Sequence, residues 1–525
     1  MSGFIRNVLC FALLTSLSVA RRIRANSAGR SLLLEVEEQL GSELRQALSQ
    51  RAPELEEHLR HTFLSLPQNS RGAVGPGGAR YALHRLFVQL HGWQMKGLRM
   101  EDGDWYRSSP LPAFGNHLPQ HLHTFLETRV SHGLDLHELA IAAGLLEHKV
   151  HDQAEKRLSL AYKALKQERA AVSRHDAFDI MHTYLATYIL GKEDEGESES
   201  VAIEKMLTNR QHLDGGYYPR WTEAADLLQQ AADAVAPGAS SFEFHQILAS
   251  LERVADQIFH LENRECGAIR QQLTQLEDHD ASGRVTLADF YNTTLHNFFS
   301  SAFTESEHYL RDAGALDESV PGMPRVIIPN YLMLDSNCLG SSEYYAVCCI
   351  DECEVLLDTI ESKIHAPTAS PTQLTQLVSS LGAEYALDER SWTELQARLG
   401  DIADSEGQVP LHGRLFAQWL HHAFPRVCPF PHEAGSFLAS TAAPLEASAE
   451  AMRSRIDEAP DKSTTSLEQF KYAMWTDTEQ LVDANKHQVR SWGRSYVSIL
   501  MFAGVVIGTV SSLAKLAPPV ARKVD

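Results

Sequence analysis

Between Leu32 and Leu190 apolar residues return every third or fourth position, as in Leu33, Val36, Leu40, Leu44 and Leu48, and strand-like alternation is scarce. The pattern predicts helices over nearly the whole stretch. Leu55, Leu59, Phe63 and Leu66 form one helical set, and Tyr81, Leu83, Leu86 and Phe87 a second. The same period resumes from Trp221 to Ala236. It returns in Trp392, Leu395 and Leu399, and again in Leu415, Phe416, Trp419, Leu420 and Phe424. Beyond Glu433 the chain turns alanine- and serine-rich, then predicts helix from Ser466 to Val489. Val320 to Tyr331, with three prolines, reads as irregular, with Val326-Ile327-Ile328 a short strand. The fold class expected is mainly α.

Two runs break the amphipathic pattern by being largely apolar and free of charge. Val8 to Leu17, after the single basic residue Arg6 and before Ser18-Val19-Ala20, has the form of a cleaved secretory signal. The acid-free, arginine- and serine-bearing stretch before Glu35 also suits an organelle transit peptide. Tyr496 to Ala514 is nineteen residues without a charge, long enough to cross a bilayer. Trp492 and Tyr496 stand where an aromatic belt would, and Lys515, Arg522 and Lys523 follow. Together these predict a single-pass type I protein of the secretory pathway or cell surface, with an organelle membrane as the alternative.

A length of 525 residues accommodates three or four domain-sized units. The expected order is a signal peptide at 1–20, an N-terminal helical domain at 21–190 and an acidic linker at 191–216. A region holding the motif below follows at 217–320, then a cysteine-rich region at 321–440, a helical stalk at 441–495, the membrane helix at 496–514 and a cytosolic tail at 515–525. The formal net charge of -21 argues against nucleic acid as a partner, which needs a concentrated basic face. No particular protein partner is legible.

The chemistry concentrates in Asp278-His279-Asp280-Ala281-Ser282-Gly283-Arg284-Val285-Thr286-Leu287-Ala288-Asp289. Oxygen-bearing side chains stand at positions one, three, five, nine and twelve, glycine at six and a β-branched residue at eight. This resembles the EF-hand calcium-binding family. The resemblance implies a Ca2+ ion held by Asp278, Asp280, Ser282, the Arg284 carbonyl, Thr286 and Asp289, with Val285 turned into the core. Asp289 stands where the family usually has Glu, so affinity should be modest and Mg2+ a competitor. Glu277 before the loop, and Thr293 and Thr294 after it, replace residues that are usually apolar. Two degenerate echoes, at 67–78 around Gly72 and at 402–413 around Gly407, share Gly-x-Val between apolar sets. They lack the carboxylates to hold calcium, and suggest a helix-loop-helix repeat with one live site.

Six cysteines follow the signal: Cys266, Cys338, Cys348, Cys349, Cys353 and Cys428. In a secretory chain an even number reads as disulfides, with fifteen connectivities open. A zinc site with His432 and a reactive Cys428 thiol are the competing readings. Asn292-Thr293-Thr294 is an N-glycosylation acceptor. His137, His148 and His151 share a helical face within about 60°. With Glu138 or Glu147 as base they outline a metal-dependent membrane hydrolase, but the His-Glu-x-x-His spacing is absent. No catalytic residues are assigned. The favoured reading is a membrane-anchored calcium-binding glycoprotein, structural or sensing; the alternatives are that hydrolase and an adhesion or scaffolding protein with a vestigial loop.

Overall fold

The computed structural model describes residues 32–98, 109–115, 118–191, 198–214, 218, 220–279, 281–296, 303–340, 342–381, 389–431, 445–459 and 474–482. The expected signal peptide, membrane helix and cytosolic tail lie outside them, as does Asp280. Among the described residues no helix is long and apolar enough to cross a membrane.

The chain is mainly α, and its helices are strung on one recurring device: a helix, a loop ending in a very short extended segment, and a second helix. Among the described residues this device occurs eight times. The first unit joins helix Ser42–Ser65 to Pro76–His91, and the second Gln120–His132 to Leu136–Ala164. The third joins Leu136–Ala164 to Arg174–Leu190, and the fourth Trp221–Val235 to Phe244–Thr274. The fifth runs from Phe244–Thr274 to Leu287–His296, and the sixth from Glu307–Asp312 to Ile328–Leu332. The seventh joins Glu352–Ile364 to Pro371–Leu381, and the eighth Glu389–Ile402 to Arg414–Ala423.

Consecutive units pair through their loops. Val74 and Leu134 exchange backbone hydrogen bonds of 2.9 and 3.0 Å. Val172 lies opposite Phe242, Val285 opposite Val326, and Ala369 opposite Val409, each in an antiparallel ladder. A lone helix-loop-helix leaves its loop backbone exposed, and placing two such loops edge to edge satisfies both sets of amide groups. Leu316–Asp317 adds a third strand beside Arg325–Ile327. Helices Leu136–Ala164 and Phe244–Thr274, of 29 and 31 residues, each close one unit and open the next. They carry one pair into the following one.

Local sequence explains where the exiting helices begin. In five of the eight loops the residue after the paired apolar position caps the exiting helix, and a partner three residues on completes the cap. These couples are Asp135 with Glu138, Ser173 with Asp176, Glu243 with Gln246, Thr286 with Asp289, and Ser370 with Gln373. Each satisfies helix N–H groups that would otherwise lack acceptors.

Three apolar cores result. The first runs from Leu32 to Phe259 and takes in Leu339, Tyr344, Tyr345 and Val347. The second runs from Cys266 to Leu334, with Cys349 and Met452. The third spans Leu357 to Cys428. Three disulfides lace the later units: Cys266–Cys349, Cys338–Cys348 and Cys353–Cys428. The adjacent Cys348 and Cys349 therefore take separate partners.

Two expected boundaries change. Within the 191–216 linker, Glu199–Asp214 is a helix whose Met206 and Leu213 are buried, because it packs on the helices of the third unit. The acidic residues that suggested a solvated linker, 192–197, lie outside the described residues. Within the 441–495 stalk, Ala449–Asp457 packs on helix Leu287–His296, with Met452 buried and Arg455 bonded to Glu307. Residues 474–482 are not helical. Their backbone pairs with the eighth loop instead, through Arg414 N to Gln480 O at 3.0 Å and Val482 N to His412 O at 3.3 Å.

Candidate metal centre

The fifth loop is entered from helix Phe244–Thr274 and left through strand Arg284–Thr286 and helix Leu287–His296. Gly283 has φ 65°, the left-handed region that a Cβ disfavours. Val285, fully buried, anchors the loop in the second core. Thr293 and Thr294, unusual in such a helix, turn their hydroxyls onto the Asp289 and Phe303 carbonyls at 3.0 and 2.9 Å. Asn292, the acceptor residue, is exposed on that helix.

The predicted ligands that are described divide into two groups. Asp278, Ser282 and the Arg284 carbonyl converge: Asp278 N donates to Arg284 O at 3.0 Å and Ser282 Oγ donates to the same oxygen at 3.1 Å. Thr286 and Asp289 face each other instead, the hydroxyl donating to the carboxylate at 2.5 Å and accepting from Asp289 N at 3.1 Å. This is the helix cap seen in four other loops, so Asp289 has a structural duty beside any metal. Asp280, the remaining predicted ligand, lies outside the described residues.

Charges around the loop are matched pair by pair. The Asp278 side chain is 4% exposed, with Oδ2 at 3.1 Å from Arg325 Nη1. Its Oδ1 lies 2.7 Å from His279 Nδ1 without hydrogen-bond alignment. Burial pushes the Asp278 carboxyl up, but His279, Ser282 and Arg325 outweigh it and hold the group down to about 2. Glu277, unexpected before such a loop, accepts from Gly283 N at 2.9 Å and from Arg426 Nη2 at 2.6 Å. Arg284 turns its side chain inward: Nε donates to Asp317 at 2.6 Å, and Nη2 lies 3.1 Å from His421 Nε2. Arg325 Nη2 reaches the same Asp317 oxygen at 2.6 Å.

The donor chemistry suits a hard divalent cation. Carboxylate, hydroxyl and carbonyl oxygens at these positions are the ligands that calcium and magnesium prefer. One buried carboxylate oxygen, Asp278 Oδ1, lies beside the His279 imidazole without an aligned hydrogen bond. Among the described residues no three His, Cys, Asp or Glu side chains gather as a metal-ligand group.

The two echoes share the glycine's left-handed backbone but have no carboxylate at either end of the loop. Gly72 and Gly407 have φ 71° and 74°. Asn69 Oδ1 accepts from Arg71 N and Ala73 N at 2.9 and 3.3 Å, and Asp404 Oδ1 accepts from Glu406 N and Gln408 N at 2.8 and 3.0 Å. A side chain at loop position three thus gathers the amides of positions five and seven. Hydrogen bonds hold these loops closed.

The histidines of the 137–151 face do not converge. His137 meets Glu56 at 2.7 Å, His151 meets Glu252 at 2.5 Å, and His148 lies 3.6 Å from Asp152. The rise from His137 to His148 is about 16 Å along the helix, too far for one ion. Each stands beside its own carboxylate, and two of those carboxylates belong to neighbouring helices.

A second charged cluster has no signal in the sequence. Arg85, 1% exposed, donates from Nη1 to Glu361 at 2.5 Å and also pairs with Glu354. Glu361, fully buried, accepts from Thr62 at 3.2 Å and meets His412 Nε2 at 2.7 Å. Burial pushes Glu361 up, but Arg85 and His412 hold it below the usual carboxylate range. The cluster fastens the first unit to the seventh and eighth. Arg85 and Glu361 lie 276 residues apart in sequence, so no local pattern could join them.

No protein-family model, no curated protein and no solved structure matches the chain. The functional reading therefore rests on the geometry of the molecule itself.

Proposed function

We propose that this is a calcium-binding helical scaffold built from EF-hand-like pairs, in which the fifth loop alone keeps a ligand set. Asp278, Asp280, Ser282, the Arg284 carbonyl, Thr286 and Asp289 would hold the ion. The observation that carries the reading is the antiparallel ladder placing Val285, at loop position eight, opposite Val326 of a second helix-loop-helix. EF-hands ordinarily work in such pairs, and neither sequence echo supplies this partner. Binding would draw the carboxylates of Asp278 and Asp289 together across the loop and tighten the entering and exiting helices. The three disulfides agree with an oxidising compartment, where calcium is plentiful and a modest site would stay filled. The apolar run 496–514 would anchor the scaffold in a membrane. A scaffold whose loop is closed permanently by Arg325 and the Thr286–Asp289 cap is the second reading.

Calorimetric titration of the full, disulfide-bonded chain with calcium separates the two. One site per chain is expected, with a rise in melting temperature, and both should vanish in Asp278→Ala/Asp289→Ala. Absence of heat and of any thermal shift in the natural chain would leave the scaffold reading standing.

A further inference from the structure

We infer that Arg325 is a tethered cation that competes with the metal ion for Asp278 and so sets the affinity of the fifth loop; this rests on the calcium reading above. Arg325 belongs to the partner loop, directly across the ladder from Thr286. Its side chain is 3% exposed and its two terminal nitrogens have separate duties. Nη1 takes Asp278 Oδ2 at 3.1 Å, while Nη2 takes Asp317 Oδ2 at 2.6 Å and Ser319 Oγ at 3.3 Å.

The ladder makes Arg284 and Arg325 counterparts. Each immediately precedes the central valine of its strand, and both converge on Asp317 Oδ2. They differ in where the remaining nitrogens go. Arg284 reaches across to His421 Nε2 at 3.1 Å, whereas Arg325 reaches into the ligand set of the opposite loop. A buried carboxylate needs a compensating positive charge, and a guanidinium supplies one without an ion. Calcium entering the loop must displace Nη1 from Asp278. Asp317 and Ser319 can keep hold of Nη2, so the guanidinium can yield without losing every partner.

The competition predicts opposite signs for two substitutions in one network. Arg325→Gln removes the competing charge, leaves Arg284 on Asp317, and should bind calcium about tenfold more tightly. Arg325→Lys keeps a charge and should stay close to the natural affinity. Asp317→Asn takes away the anchor that shares Arg325, lets the guanidinium bear more fully on Asp278, and should weaken binding several-fold. The measurement is calcium calorimetry on full chains, read beside melting curves with and without calcium. Equal or weaker binding by a cooperatively melting Arg325→Gln chain would overturn the inference, as would parallel weakening in Arg325→Gln and Asp317→Asn. Binding by Arg325→Gln where the natural chain binds nothing would support the competition and overturn the reading of a site filled in the natural protein. Silence from every chain would overturn both.

Discussion

The fifth and eighth loops have nearly the same backbone and opposite surroundings. Gly283 and Gly407 have φ 65° and 74°, each two residues before the apolar position of a ladder. An added Cβ on Gly407 would meet nothing within 4 Å, but on Gly283 it would lie 2.0 Å from the Pro425 carbonyl oxygen. The eighth loop is closed by one aspartate bonding its own amides; the fifth adds arginines from other segments to its own hydrogen bonds. A loop of this shape can therefore be held by local hydrogen bonds or by long-range charge. Only the second arrangement holds a buried carboxylate, Asp278, against a guanidinium, where a cation could replace the arginine.

Breaking the glycines should expose this difference most strongly. Gly407→Ala carries only the left-handed strain, about 1–2 kcal/mol. Gly283→Ala adds a clash with fixed backbone, raising the loss to about 3–5 kcal/mol. Denaturant unfolding of the two variants beside the natural chain measures both. Equal losses would mean that the contact with Pro425 relaxes freely, and that the fifth loop is as loosely seated as the eighth.

Charge supplies the next test. Asp317 is fully buried between two guanidiniums. Burial raises its carboxyl, but Arg284 and Arg325 prevail and hold it below the usual range. A carboxyl whose folded pKa is depressed contributes stability that is complete above its unfolded value, near 3.9, and is lost as pH falls through the folded value. Stability should therefore drop steeply below about pH 4. Asp317→Asn should cost about 3 kcal/mol at neutral pH, since it leaves buried guanidinium charge uncompensated, and should flatten that acid limb. An unchanged limb in the variant would assign acid sensitivity to the Arg85–Glu361 cluster instead.

What could be read in advance follows the range of each interaction. Helices were legible because their period is local, and the fifth loop stood out because its candidate ligands and glycine lie within twelve consecutive residues. The cysteines announced disulfides without their connectivity, which depends on the fold. The partner loop was hidden: Ser319 to Asn330 carries Pro321, Gly322, Pro324 and Pro329 and lacks the fifth loop's spaced carboxylates, and what it shares with that loop is a ladder visible only in three dimensions. Glu277 looked like a defect until Arg426, 149 residues away, gave it a purpose. Arg284 enters the predicted ligand set only through its carbonyl, and its side chain turns inward to Asp317 and His421, which no local pattern shows.

The smallest effect should come from the eighth loop, and it sharpens the comparison most cleanly. Asp404→Ala removes the acceptor for Glu406 N and Gln408 N, two amides that solvent can partly reach, so the loss should be about 1 kcal/mol. Asp404→Asn should be neutral within about 0.5 kcal/mol, because Asn69 performs the same task in the first loop with an amide oxygen. Neither change should alter calcium heats. A charge-dependent loss in Asp404→Asn, or any change in calcium binding, would mean that the carboxylate acts as more than a turn former. Neutrality would fix the difference between the loops in the arginines and acids around Asp278, and leave their common backbone as a device that closes without metal.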